Sequence, residues 1–195
     1  MDEYNWKEIE KKLKNTLDGK RYRHTLGVSY TAAALAMAHG EDIKKARLAG
    51  LLHDCAKCVP EQERIPMCEE YGISLTPCEI SNTALIHAKL GVVIAKRDYL
   101  IKDEDILGAI RWHTTGKPEM SALEQIIYIA DYIEPNRDAK LQISSEIRKT
   151  AFKDLDAGCE AVMGDIVAYL NSTGYQMDEM TYKAYDYYHE LISRR

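Results

Sequence analysis

No stretch of this chain is apolar for long enough to cross a bilayer. The longest runs, such as Gly91-Val92-Val93-Ile94-Ala95, fall far short of the roughly 20 residues that a spanning helix requires. The start, Met1-Asp2-Glu3-Tyr4, lacks the basic and apolar regions of a secretory signal. The expectation is a cytoplasmic protein without a membrane partner. Basic residues are also in deficit: 26 Lys and Arg stand against 31 Asp and Glu, a formal net charge of −5. That balance argues against nucleic acid as a partner, although a local positive site for a small phosphorylated ligand fits within it. The five cysteines are odd in number and scattered, so they form no disulfide framework and suit a reducing compartment. Cys55-Ala56-Lys57-Cys58 spells C-x-x-C, but a zinc ribbon needs a second such pair and a redox motif needs a βαβ setting. Neither is visible, and the two cysteines read as small packing residues. Strand-like alternation, internal repeats and linkers rich in Pro, Gly or Ser are missing as well.

What is present is a succession of amphipathic helices. At 195 residues, 46% hydrophobic and 29% charged, the chain suits one all-α domain spanning residues 1–195. Trp6, Ile9, Leu13 and Leu17 share one face of a helix ended by Asp18-Gly19, and a second runs from Arg21 to Ala38 before His39-Gly40. Asp42 caps a third, which leads into His53-Asp54. A short helical segment interrupted at Pro66 and stopped at Gly72 follows, then a helix from Asn82 to Tyr99 with His87 near its start. The next, from Asp103 to Trp112, delivers His113, and Ser121-Ala122-Leu123-Glu124 is a capping box that opens an apolar helix reaching Asp131. Helices are expected around Leu141 to Leu155, from Asp156 to Leu170 and, after a turn at Gly174, from Thr181 to Ile192.

His53-Asp54, at the end of an apolar helix and one turn before Lys57, is the focus of the chain. Imidazole and carboxylate side by side can face one cation, and the ammonium can meet an anion held there. Taken singly, each histidine reads more readily as a buried or capping residue than as a ligand. Taken together, His24, His53, Asp54, His87, His113 and Asp131 all stand at or near ends of apolar helices. Six such ligands suit two divalent metals, iron, manganese or zinc among them, with Asp54 able to bridge. His24, His53, Asp54 and Asp131 make one site, and His87 and His113 complete the second. A carboxylate such as Asp131, at the inner end of an apolar helix, needs a partner. Arg21, three residues before His24, Lys57 and Arg137 stand near three of the ligands and offer phosphate contacts. His39 and His189 read as helix-end or solvated positions.

The order His24, His53-Asp54, Asp131 in an all-helical chain resembles the HD-domain superfamily of metal-dependent phosphohydrolases, and His87 and His113 resemble its two-metal members. Arg21-x-x-His24-Thr25, Leu52-His53-Asp54-x-Ala56-Lys57, His113-Thr114-x-Gly116 and Ala130-Asp131-x-Ile133-Glu134-Pro135-x-Arg137 resemble the YqeK-type symmetrical bis(5'-nucleosyl)-tetraphosphatases over nearly the whole chain. The resemblance implies an HD-domain fold with a metal core over about residues 20–137 and C-terminal helices completing a nucleotide site. It further implies a di-iron centre on the six ligands and cleavage of diadenosine tetraphosphate into two ADP. His53, Asp54, Lys57 and Asp131 are then the catalytic set. Arg21, His24, Lys57, His87, Asp131 and Arg137 are implied as nucleotide contacts, together with Thr181, Tyr185 and Asp186. Asp186 stands where the family pattern has asparagine, which removes an amide donor and adds a negative charge.

Two other activities fit the same core: a nucleotidase or (d)NTP phosphohydrolase, distinguished by release of inorganic phosphate, and a sensor that holds metal and nucleotide without turnover. A purely structural helical module is the third alternative. The tyrosines from Tyr182 to Tyr188 can pack internally, stack a base or meet a second subunit, so a homodimer stays open.

Overall fold

The computed structural model describes residues 4–137 and 145–195. Among these residues there are eleven α-helices, one 3-10 turn and no strand. Helix α1 (Trp6–Thr16) begins where the Asn5 side chain accepts the Glu8 N–H, and α2 (Gly19–His39) where Asp18 accepts from Lys20 and Arg21. Gly40 ends α2 with φ 74°, a left-handed conformation that glycine adopts without steric penalty. Asp42 caps α3 (Ile43–Leu52) in the same way as Asp18 caps α2. The two helices are pressed together. A Cβ on Gly50 would lie 2.9 Å from the Ser29 Cα, so the crossing depends on a bare backbone.

Two expectations are corrected in the next stretch. Helix α4 (Glu61–Glu70) runs through Pro66 instead of being interrupted there. The carbonyl left without its proline partner belongs to Gln62, an exposed residue that water can serve. The anticipated helix from Asn82 to Tyr99 is divided into a 3-10 turn (Thr83–Ile86) and helix α6 (His87–Tyr99), preceded by a five-residue helix α5 (Pro77–Ser81). His87 therefore opens a helix. Leu100 closes α6 in a left-handed conformation, φ 57°.

Helix α7 (Glu104–Trp112) is capped by Asp103, and α8 (Ala122–Ile133) opens on the capping box of Ser121 and Glu124. Nearly all of α8 is buried, with Ile126, Ile127, Ile129 and Ala130 fully enclosed. A helix apolar all round belongs in the centre, and α8 packs against α2, α3, α7 and α10. Of the helix expected from Leu141 to Leu155, residues 141–144 lie outside the described residues, helix α9 (Ser145–Ala151) ends earlier than expected, and Leu155 opens the next helix behind the Asp154 cap. Helices α10 (Leu155–Thr173) and α11 (Glu179–Ser193) pack on each other, separated by Gly174 at φ 70°. No described helix is long and apolar enough to cross a membrane.

Candidate metal centre

Three histidines are aimed by the same local device. His53 follows α3, His113 follows α7 and His87 follows the 3-10 turn. Each ring places Nδ1 against the carbonyl three residues back: His53 on Gly50 at 2.7 Å, His113 on Ile110 at 2.7 Å, His87 on Ala84 at 2.6 Å. A carbonyl only accepts, so Nδ1 carries the hydrogen and Nε2 is left with a lone pair. His24, in the second turn of α2, is held from a distance. Its Nδ1 lies 2.9 Å from Glu134 Oε1.

The four Nε2 atoms and two carboxylates then converge. Asp54 Oδ1 lies 3.2 Å from His87 Nε2 and 3.6 Å from His113 Nε2, while Oδ2 lies 3.4 Å from His53 Nε2 and 3.9 Å from His24 Nε2. Asp131 Oδ1 is 2.9 Å from His24 Nε2 and 3.6 Å from His53 Nε2. The Nε2 atoms of His87 and His113 stand 3.0 Å apart, and those of His24 and His53 have no hydrogen-bond partner. Lone pairs and carboxylate oxygens packed this closely repel one another unless a cation lies among them. His53, Asp54, His87 and His113 are all under 5% exposed, so water does not relieve the repulsion. Two groups of donors could hold a divalent metal, His24 with His53 and Asp131 and His53 with Asp54 and His113, and His87 Nε2 adjoins the second group through Asp54 Oδ1. All six ligands expected from the sequence are brought together.

The electrostatics follow from this crowding. Burial works against the ionised form of Asp54, but His53, His113 and His87 outweigh it and hold the carboxyl well below its usual range. Asp131 is likewise depressed against the pull of burial, chiefly by Arg137. Burial brings His87 down to about 4. For His53 burial is opposed and overcome by Asp54, so its shift is upward.

A cavity of about 410 Å³ opens over the centre, lined by five of the six ligands and by Arg21, Lys57 and Arg137; the sixth, His53, lies fully enclosed behind them. Arg21 donates to Asp54 Oδ2 at 2.6 Å, and Arg137 donates to Asp131 Oδ1 at 2.5 Å and to the Asp131 carbonyl at 2.7 Å. Lys57 lines the same wall, and burial lowers its pKa more than Asp54 raises it. A half-buried ammonium held in this way is ready to meet an anion.

Some expected residues stand elsewhere. Thr181, Tyr185 and Asp186 sit on α11, and none of them lines the cavity. Thr181 is buried, Tyr185 packs by Gly164 of α10, and Asp186 is exposed. Cys55 is buried with its Sγ towards the Gly91 carbonyl, Cys58 is exposed, and both are free thiols. His39 bonds the Ala151 carbonyl at 2.8 Å, and exposed His189 meets Glu160 at 3.1 Å. Among further residues of the site, Thr114 is legible only within the His113-Thr114-x-Gly116 motif, while Tyr132, Asn136 and Ile166 carry no signal of their own in the sequence. Thr114 Oγ1 lies 3.2 and 3.1 Å from the Nε2 atoms of His87 and His113, and Tyr132, Asn136 and Ile166 also line the cavity. In the sequence Glu134 is marked only by its place in the Ala130–Arg137 motif, with no sign of its contact to His24.

The HD domain family model matches residues 21–136. A symmetrical bis(5'-nucleosyl)-tetraphosphatase of Bacillus subtilis is 43% identical over 146 residues, 74% of this chain and 76% of that protein. A protein of the same description from Halalkalibacterium halodurans is 39% identical over 158 residues, 81% of this chain and 83% of the relative. Among solved structures, a predicted HD superfamily hydrolase involved in NAD metabolism from Clostridium acetobutylicum superposes with a TM-score of 0.90 at 42% identity, covering 98% of this chain and 99% of that one.

Proposed function

The chain belongs to the HD domain family, and from that premise we propose that it is a metal-dependent hydrolase that cleaves diadenosine tetraphosphate symmetrically to two ADP. The observation that carries the reading is the division of Asp54 between two histidine sets beneath a cavity walled by Arg21, Lys57 and Arg137. The names of two relatives, each sharing about two-fifths of its aligned residues with this chain, support the choice of substrate. We take the cations to be iron, with manganese or zinc compatible with the same imidazole and carboxylate donors.

Two divalent ions, when bound, make a water more acidic near neutral pH and offset charge on phosphoryl oxygens. The chain's own residues do the rest. Arg21, Lys57 and Arg137 hold the polyphosphate, with Lys57 free to take up a phosphate oxygen. His24, His53, Asp54, His87, His113 and Asp131 hold the cations, and Asp131 orients the attacking water. Water oxygen bonds to one of the two central phosphorus atoms, the bond from that atom to the oxygen shared by the two breaks, the departing ADP keeps the shared oxygen, and the proton of the water passes to solvent. His24, His87 and Asp131 also border the polyphosphate at the cavity floor. Residues 20–137 thus form the metal core of a single domain. We keep Thr181, Tyr185 and Asp186 as contacts only for a nucleoside that reaches α11.

The test is an anaerobic incubation of metal-analysed protein with diadenosine tetraphosphate, the products separated by chromatography. ADP alone is expected. ATP with AMP, or inorganic phosphate from mononucleotides, would sink the symmetrical reading.

A further inference from the structure

Glu134 closes α8 as its C-cap and is 0% exposed. Its two oxygens serve different parts of the molecule. Oε1 lies 2.9 Å from His24 Nδ1, across 110 residues of sequence. Oε2 accepts the Asn136 backbone N–H at 2.6 Å and the Asn136 side-chain amide at 3.1 Å. The Glu134 carbonyl accepts the Arg137 N–H at 3.1 Å. Asn136 and Arg137 both line the cavity, and Arg137 reaches from this turn to Asp131. Space for the carboxylate is built into α2. A Cβ on Gly27, one turn beyond His24, would lie 2.1 Å from Glu134 Oε2.

We propose that Glu134 is a positioning residue that supports both halves of the site. Through Oε1 it keeps the hydrogen of His24 on Nδ1 and turns Nε2 towards Asp54 and Asp131; through Oε2 it fixes the Asn136-Arg137 turn on the cavity wall. This rests on the metal-dependent reading above. Without Glu134 a neutral His24 is free to carry its hydrogen on Nε2, the atom that faces the ligand cluster, and partners of this kind are typically worth about 10- to 100-fold in metal affinity. A glutamine cannot replace it. Its amide nitrogen has to face either His24 or the Asn136 donors, so one of the two supports is lost.

The experiment uses full-length, metal-stripped protein labelled with ¹⁵N-histidine, followed by titration with Mn²⁺. The wild-type His24 signal is expected to report the hydrogen on Nδ1. Where its amide nitrogen faces His24, Glu134→Gln is expected to move the hydrogen to Nε2 or to an exchanging mixture, and in either amide orientation to weaken the tighter Mn²⁺ step by about 10- to 100-fold. A wild-type hydrogen on Nε2 overturns the proposal without any variant, so it stays testable even where Glu134→Gln does not fold. An unchanged His24 signal and unchanged Mn²⁺ affinity in a folded Glu134→Gln protein overturn it equally. Wild-type protein that binds no Mn²⁺ but keeps the hydrogen on Nδ1 would overturn the two-cation reading while upholding the hold of Glu134 on His24.

Discussion

His87 Nε2 and His113 Nε2 face each other at 3.0 Å, and each ring has already committed its Nδ1 hydrogen to a carbonyl of its own chain segment. Two imidazole lone pairs at that separation do not attract. Asp54 Oδ1 stands beside both, so a cation shared by the two rings and this oxygen would relieve the repulsion.

Replacing one of the pair should therefore remove one ion and leave the other. His87→Ala is expected to bring bound metal from about two per chain to about one and to lower turnover at least about 100-fold. Elemental analysis beside a steady-state assay checks it. Two ions retained with full turnover would exclude the bridged arrangement.

Metal also reaches stability, because cations that bind only the folded chain stabilise it by mass action. At about 100 times Kd the gain is about 2.7 kcal/mol, which for a domain of this size corresponds to roughly 5–11 °C in Tm. Chelation followed by calorimetry should show the fall, and returning the metal should reverse it. A Tm indifferent to chelator would contradict a cation among these ligands.

Lys57 should separate binding from stability. Its ammonium is held half-buried at a depressed pKa beside the cavity. Lys57→Met keeps most of the aliphatic stem and removes the charge, so Tm is expected to hold or rise slightly while ADP binding weakens about tenfold. Calorimetric titration with ADP and a thermal melt decide the matter together. Loss of stability without loss of affinity would make Lys57 structural.

Gly50 should not tolerate a side chain. Its Cβ would meet the Ser29 backbone at 2.9 Å, so Gly50→Ala has to push α2 from α3 just ahead of His53. Overpacking of this kind destabilises by about 1–3 kcal/mol, or roughly 2–12 °C in Tm. An unchanged melt would show that the two helices part freely.

Acid should weaken the fold in a defined direction. Burial raises the Asp103 pKa, but the Lys45 ammonium at 2.9 Å and the N–H groups of α7 outweigh it, and the net shift is downward. The unfolded chain then binds the proton more readily, so this contribution is complete above the ordinary carboxylate pKa and is lost as pH falls below about 4. Urea midpoints measured from pH 6 to pH 3 should decline, and less steeply in Asp103→Asn. Equal slopes in the two proteins would exclude Asp103 as a contributor.

The helical class, the caps at Asp42 and Ser121 and the identity of the six ligand candidates are legible along the chain alone. Caps are local: Asp18, Asp42, Asp103 and the Ser121-Glu124 box act on N–H groups within three residues. Ligand types are chemical and need no fold to be read. Where the local rule was opposed by surroundings, it failed, as at Pro66, whose lost hydrogen bond falls on a solvated turn, and at Asn82, whose side chain accepts the Ala84 N–H and starts a tighter turn. How Asp54 divides its oxygens, that Glu134 reaches back to His24, and that Thr181, Tyr185 and Asp186 stay off the cavity wall emerge from the packed helices alone. Those relationships join residues up to 110 positions apart. They depend on how α2, α3 and α8 cross, and the crossing is set by side-chain packing and by bare backbone at Gly27 and Gly50, which no periodicity along a single helix encodes.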